Sequence, residues 1–173
     1  MVGPTLTTAR LTLMPFGIGD AEDCLAMRSD PAVTRFVGGV ATREDVWART
    51  LRYIGLWAAF GYGYFAARET ASGRFVGEIG FADYRRDTMP DFFGTPEAGW
   101  VLAGWAQGQG FAAEAVEALL AWGDETLSAP RTVCMVSPDN HPSLRLAAKV
   151  GYRAFADTTY KGHPLMLFER ARR

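Results

Sequence analysis

The sequence predicts a mixed α and β fold (α+β), built as one domain around a single sheet. Three observations predict it. The front half reads as a strand, helices and a hairpin, whereas the rear half alternates strand and helix before two last strands. The rear strand–helix–strand unit implies a crossover and local parallel pairing. The chain has 173 residues, 49% of them apolar and 13% aromatic, enough for one compact domain with a real core and too apolar for a disordered chain.

The elements follow in order. Residues 10–14 alternate and stop at Pro15, which suits a short strand. Asp20 is placed to cap a helix through Glu22, Cys24, Leu25 and Met27. Asp30-Pro31 restarts a short helical segment that ends near Gly38-Gly39. Thr42-Arg43-Glu44-Asp45 resembles a capping box, and the helix behind it carries Val46, Trp47, Leu51, Ile54 and Trp57 on a broad apolar face. Residues 62–68 and 74–84 are β-rich and flank Thr70-Ala71-Ser72-Gly73, so they read as an antiparallel hairpin. Residues 85–94 are polar, with Pro90 and Gly94, and read as a mobile loop and a candidate gate.

Residues 97–102 read as the next strand, and an Ala-rich helix runs from Phe111 to about Thr126. Its buried side is Ala112, Ala115, Val116, Leu119 and Trp122. Residues 131–136 form an apolar strand. A helix from about His141 to Val150 follows, with Asn140 as cap, Pro142 in the first turn and Gly151 as the left-handed stop. Residues 152–160 and 164–169 are the last strands, with Gly162-His163-Pro164 a turn between them. No repeat, low-complexity block or linker divides the chain.

Composition excludes several classes. A formal charge of −1 removes any global argument for nucleic-acid binding, and Arg170, Arg172 and Arg173 read as a solvated tail. Cys24 and Cys134 read as small core residues, which suits a reducing cytoplasmic setting. Residues 1–10 lack a basic region followed by an apolar run, so no secretory signal is read. No apolar stretch is long enough to span a bilayer. His141 and His163 have no zinc-type spacing, so no metal is expected.

Chemistry concentrates in Gln107-Gly108-Gln109-Gly110-Phe111-Ala112, between a strand and a long helix. The first helical N–H groups have no partner in the helix, the dipole adds positive potential, and glycine lets the main chain approach an anion. Such a loop cradles phosphate without Lys or Arg. Taken alone it is equally an ordinary strand-to-helix turn. A P-loop is excluded, because no GK[ST] follows. Gly108, Gly110 and Ala113 also fit the dinucleotide fingerprint, but antiparallel strands precede them and 131–136 holds no carboxylate.

Together the segments resemble the GNAT superfamily of acyltransferases. Glu97 to Leu102 with Gln107, Gly110 and Ala112 is similar to its motif A, of kernel Q/R-x-x-G-x-G/A. Asn140 and Ser143, with Lys149-Val150-Gly151-Tyr152, are similar to its motif B. Thr8-Ala9-Arg10-Leu11-Thr12-Leu13-Met14-Pro15 and Asp30-Pro31-Ala32-Val33 resemble the branch of RimJ/RimL-type ribosomal-protein N-acetyltransferases. Met14 departs from the Arg that this branch often carries there, which weakens transfer of the acceptor.

The resemblance implies one N-acetyltransferase domain over 1–173, with a splayed mixed sheet of about six to seven strands flanked by helices. The strand before motif A would part from the strand after it. It implies acetyl-CoA as co-substrate. The pantetheine arm would pair with backbone of Trp100, Val101 and Leu102, and the pyrophosphate with N–H groups from Gln107, Gly108, Gln109, Gly110, Phe111 and Ala112. Asn140 and Ser143 would face the pantetheine or thioester end. A homodimer is compatible with the resemblance and the aromatic content.

Acyl transfer needs a neutral amine. An α-amino group has an ordinary pKa of about 8 and a lysine about 10.4, so a weak base suffices for the former. Glu97 is the first candidate base, against a solvated strand-end carboxylate, and Glu78 on the neighbouring strand is the runner-up. Tyr160 is the candidate acid for the leaving thiolate, against a rim aromatic, and Ser143 is the alternative donor. The front helices would wall the acceptor cleft, and His163 is a further candidate for its lining. The favoured function is direct transfer of acetyl to a primary amine in a ternary complex, the acceptor a protein N-terminus. Alternatives are acetylation of a small amine (antibiotic, polyamine or amino acid), a non-catalytic acyl-CoA sensor, and a nucleotide-binding oxidoreductase.

Overall fold

A computed structural model describes residues 3–173. Met1 and Val2, where the leader reading begins, lie outside the described residues. Among the described residues the strands form one mixed sheet of eight, in the order β1-β2-β3-β4-β5-β6-β8-β7. Two compact units share it: the chain up to Gly80 with Trp100–Leu119, and Phe81–Gly99 with Leu120–Arg173.

The first unit opens with β1 (Leu6–Thr7) and β2 (Leu11–Pro15), antiparallel to each other. β1 is the strand beyond the seven read from sequence; two residues carry no periodicity. A 3-10 turn, Ile18–Asp20, leads into α1 (Ala21–Arg28). Asp20 makes no side-chain cap to α1. Its carboxylate instead accepts the Gly17 N–H at 3.0 Å and the Arg68 guanidinium at 2.7 Å. A guanidinium is the stronger partner, and it draws the side chain off the helix end. Asp30 does cap α2 (Pro31–Thr34), accepting the Ala32 N–H at 2.8 Å.

Thr42 and Asp45 close a capping box at the head of α3 (Arg43–Phe60), and Gly61 at φ 72° ends it. The packed stripe of α3 is Val46, Thr50, Tyr53, Leu56 and Trp57. Trp47, Leu51 and Ile54 are 46%, 49% and 36% exposed, so the apolar face read from sequence is only partly the core face. Tyr53 accounts for the rotation: it stacks on Tyr64 at 4.1 Å and donates its hydroxyl to Glu78 at 2.9 Å. β3 (Tyr64–Glu69) and β4 (Phe75–Ala82) form the expected hairpin, with a bulge between Ala67 and Arg68.

β4, β5 (Glu97–Leu102) and α4 (Phe111–Thr126) each run from one unit into the other. In the second unit β5 pairs in parallel with β6 (Arg131–Val136), Glu97 opposite Val133, as the strand–helix–strand pattern requires. α5 (His141–Lys149) is capped by Asn140, whose Oδ1 accepts the Ser143 N–H at 3.3 Å. It stops at Gly151, φ 95°, where the Tyr152 N–H reaches back to the Ala147 carbonyl at 2.9 Å. β7 (Arg153–Tyr160) and β8 (His163–Ala171) are antiparallel. Lys161 and Gly162 both have positive φ, a two-residue type I′ turn, so His163 begins a strand opposite Tyr160 instead of lying in the turn.

Two readings are corrected here. Arg170 is 6% exposed, not part of a solvated tail: it lies in β8 and forks onto Asp124 at 2.8 and 2.7 Å. The segment 85–94 is anchored, because Phe92 packs with Val133 and Leu167 and Thr88 is 5% exposed. Both cysteines are free and buried, as expected. Among the described residues no helix is long and apolar enough to cross a membrane.

Candidate active site

In the first unit β5 ends at Leu102, a 3-10 turn covers Gly104–Ala106, and residues 107–110 lead exposed into α4. Gly108 and Gly110 stand at φ 75° and 83°, a conformation costly for any residue with a Cβ. Both glutamine side chains bond back to nearby backbone: Gln107 Nε2 donates to the Leu102 carbonyl at 3.1 Å, and Gln109 Nε2 to the Trp105 carbonyl. Side chains therefore hold the loop. The Glu114 N–H bonds to the Gly110 carbonyl at 3.2 Å and closes the first helical turn. The N–H groups of Phe111, Ala112 and Ala113 precede that bond, at the positive end of a helix of 16 residues. Open glycine bends, exposed backbone and an N-terminal dipole fit a pyrophosphate.

Trp100 and Val101 are half-buried and Leu102 is buried. Gly77 of β4 lies against Val101 and Leu102, and a Cβ there would sit 2.2 Å from the Val101 carbonyl oxygen. Glycine lets β4 hold this part of β5 closely.

In the second unit Glu97 is 5% exposed, which overturns the reading of a solvated strand end. Both its oxygens accept from Arg86, Nε to Oε2 at 2.6 Å and Nη2 to Oε1 at 2.9 Å. Burial pushes the Glu97 carboxyl above the ordinary glutamate range; the Arg86 bonds oppose that shift without cancelling it, and Asp83 adds to it. The Arg86 guanidinium also lies 5.0 Å from the Tyr160 ring centroid and 4.5 Å from that of Tyr84. One cation thus holds the candidate base and stacks on the candidate acid. Asn140 and Ser143 form a separate pair at the head of α5, where the Asn140 oxygen accepts the Ser143 N–H.

Arg86 is the residue that sequence reasoning missed. It sits in a polar stretch without periodicity, and nothing local marks it as the partner of a carboxylate eleven positions on. The next residue in the chain, Asp87, lines a cavity of about 840 Å³ together with Asp91, Asp157, Thr88, Met89 and Phe93. Its three carboxylates make a surface that attracts cations.

Glu78, the runner-up base, is removed by its surroundings. It is 0% exposed. It accepts from Arg28, from the Tyr53 hydroxyl at 2.9 Å and from the Cys24 thiol at 3.2 Å. Burial alone would raise its carboxyl, but Arg28 and Arg49 outweigh it and hold the group below the ordinary range. The same burial, with Glu78 beside it, pushes the Cys24 thiol far up, and burial does the same to Cys134. Neither thiol is a ready nucleophile.

Comparison with known proteins bears on this geometry. Residues 10–153 match the acetyltransferase (GNAT) domain family. The chain is 30% identical over 151 residues to the uncharacterized N-acetyltransferase YnaD of Bacillus subtilis (strain 168), covering 86% of this chain and 82% of that protein. It superposes on a GnaT-family acetyltransferase from Bordetella pertussis with a TM-score of 0.87 at 36% identity, over 97% of this chain and 99% of the other. RimL, a ribosomal L7/L12 α-N-protein acetyltransferase solved with coenzyme A, shares the fold with a TM-score of 0.79 at 16% identity, over 99% and 98% of the chains.

Proposed function

The chain belongs to the GNAT acetyltransferase family, and from that premise we propose that it moves an acetyl group from acetyl-CoA to a primary amine by direct attack. The observation that carries the cofactor reading is the exposed loop with Gly108 and Gly110 in left-handed conformation at the head of α4. Backbone N–H groups from Gln107 to Ala112 would hold the pyrophosphate, Trp100 and Val101 the pantetheine arm, and Asn140 and Ser143 its thioester end. Acetyl-CoA supplies the acetyl group as a thioester. The acceptor nitrogen attacks its carbonyl carbon, so a C–N bond forms and the C–S bond breaks.

Glu97 takes the proton that the amine must lose. Two of its lone-pair positions are used by Arg86, which leaves the others for a water or the amine itself. Its raised proton affinity suits a base working closer to neutrality. Tyr160, or Ser143, returns a proton to the departing thiolate. That demand is modest, since a free thiol has a pKa of about 8.5.

The favoured acceptor is a protein N-terminal α-amine, which the likeness to RimL supports. A second acceptor class, a cationic small amine, is favoured by the cavity lined by Asp87, Asp91 and Asp157. Calorimetric titration with acetyl-CoA, with NADH as control, tests the cofactor. Thiol release over a panel of peptides and small amines then separates the acceptors. Folded protein that binds no acetyl-CoA sinks the proposal, and binding without thiol release on any amine returns the chain to an acyl-CoA sensor.

A further inference from the structure

We infer that Arg10 is a positioning residue for the cofactor loop: it latches residues 109–111 in place and cancels the charge of Glu114 beneath the anion site. The inference rests on reading that loop as the cofactor cradle.

Arg10 sits in the tight turn between β1 and β2, where the Thr8 N–H bonds to the Leu11 carbonyl and the Leu11 N–H to Thr8 Oγ1, both at 2.9 Å. From this turn it reaches across roughly a hundred positions of sequence. Its backbone N–H donates to Glu114 Oε1 at 2.8 Å, and its Nε and Nη2 lie 2.7 Å from Glu114 Oε2. Its Nη1 donates to the Gln109 carbonyl at 3.0 Å. Its guanidinium carbon stands 4.4 Å from the centre of the Phe111 ring. The Thr8 hydroxyl completes the Glu114 shell at 2.6 Å.

Two effects follow, and they are separable. Glycine gives the loop conformational freedom, so binding an anion there must order it. The contact to Gln109 and the cover over Phe111 do that ordering in advance. Glu114 lies in the first turn of α4, where a carboxylate suits the helix dipole but repels a bound phosphate. Arg10 balances that charge. Burial raises the Glu114 carboxyl, yet the bonds from Thr8 and Arg10 outweigh it and keep the group ionised, so the balance is needed at neutral pH.

The test is calorimetry of coenzyme A and dephospho-coenzyme A, with steady-state kinetics, on R10A, R10K, E114Q and R10A/E114Q. R10A is expected to raise Kd and KM for the cofactor about tenfold while kcat at saturation changes less than about twofold. R10K, which keeps the charge without the fork, falls between R10A and the parent protein. E114Q removes the negative charge and keeps one acceptor oxygen, which can serve either the Arg10 N–H with the Thr8 hydroxyl or the guanidinium but not both; with the repulsion gone, binding is expected to tighten by about twofold. The double variant recovers part of the R10A loss.

Opposite signs for R10A and E114Q distinguish this role from a merely structural pair, in which both variants weaken binding alike. That result, or an R10A Kd equal to the parent's, overturns the inference. A loss seen with coenzyme A but not with dephospho-coenzyme A also overturns it, because Arg10 would then be touching the 3′-phosphate. If R10A does not fold, R10K and E114Q still decide the sign. A parent protein that binds no coenzyme A refutes the cradle itself, which is a different failure.

Discussion

A carboxyl group at 5% exposure with one guanidinium across both oxygens is a different reagent from the same group in water. E97Q is expected to lower kcat about a hundredfold with acetyl-CoA affinity unchanged within about twofold. Unchanged turnover across the pH range would remove Glu97 from the mechanism. Because burial raises this carboxyl, its basic form is lost, as pH falls, at a higher pH than for an ordinary glutamate. The acid limb of kcat/KM should therefore lie above the usual carboxylate range. In R86A the opposing cation is gone, so the limb should move further up in pH; a limb that stays in place would mean that another group titrates. Glu97 itself was legible, since it opens the strand that leads to the loop. Arg86 was not: a bidentate pair is a fact of where two chain segments meet, and neither segment carries a mark of it.

Elements in the first unit are tied by charge as much as by apolar packing. Arg28 of α1, Tyr53 of α3 and Glu78 of β4 form one buried polar cluster with Arg49. Breaking a buried pair by removing one charge leaves the other uncompensated. E78Q is expected to cost about 3–5 kcal/mol of stability, read from the urea midpoint. A loss below about 1 kcal/mol, as for an exposed pair, would mean that water reaches Arg28. This cluster explains the one helix face that periodicity read too broadly. Val46 and Trp57 are core, as the apolar pattern requires, but Thr50 and Tyr53 displace Trp47, Leu51 and Ile54 from it. Hydrophobicity alone cannot rank a tyrosine with a buried carboxylate to satisfy above an isoleucine without one. Capping, in contrast, was readable wherever the cap had no stronger rival: Thr42 and Asn140 act as their types demand, and Asp20 is diverted by Arg68.

For the molecule as a whole, acid sensitivity follows from carboxylates that are bound in the folded state. Asp124 accepts the Arg170 fork, which holds its carboxyl below the ordinary range. A carboxyl lowered by folding adds stability above its unfolded pKa of about 3.9, and that stability is lost as pH falls through the folded value. D124N should thus lower Tm at pH 7, and the gap from the parent should close below about pH 4. A gap constant across that range would assign the loss to packing. The family, the order of strands and helices, the glycine loop and the caps are all local or short-spaced signals. Backbone conformation, helix ends and motif spacing are decided within a few residues, so one chain read alone carries them. The eighth strand is two residues of backbone pairing too short to carry a period, while the burial of Arg170, the grip of Arg10 on Glu114 and the pairing of Arg86 with Glu97 each need side chains brought together by the tertiary structure, because a charge chooses its partner by distance and desolvation rather than by sequence separation.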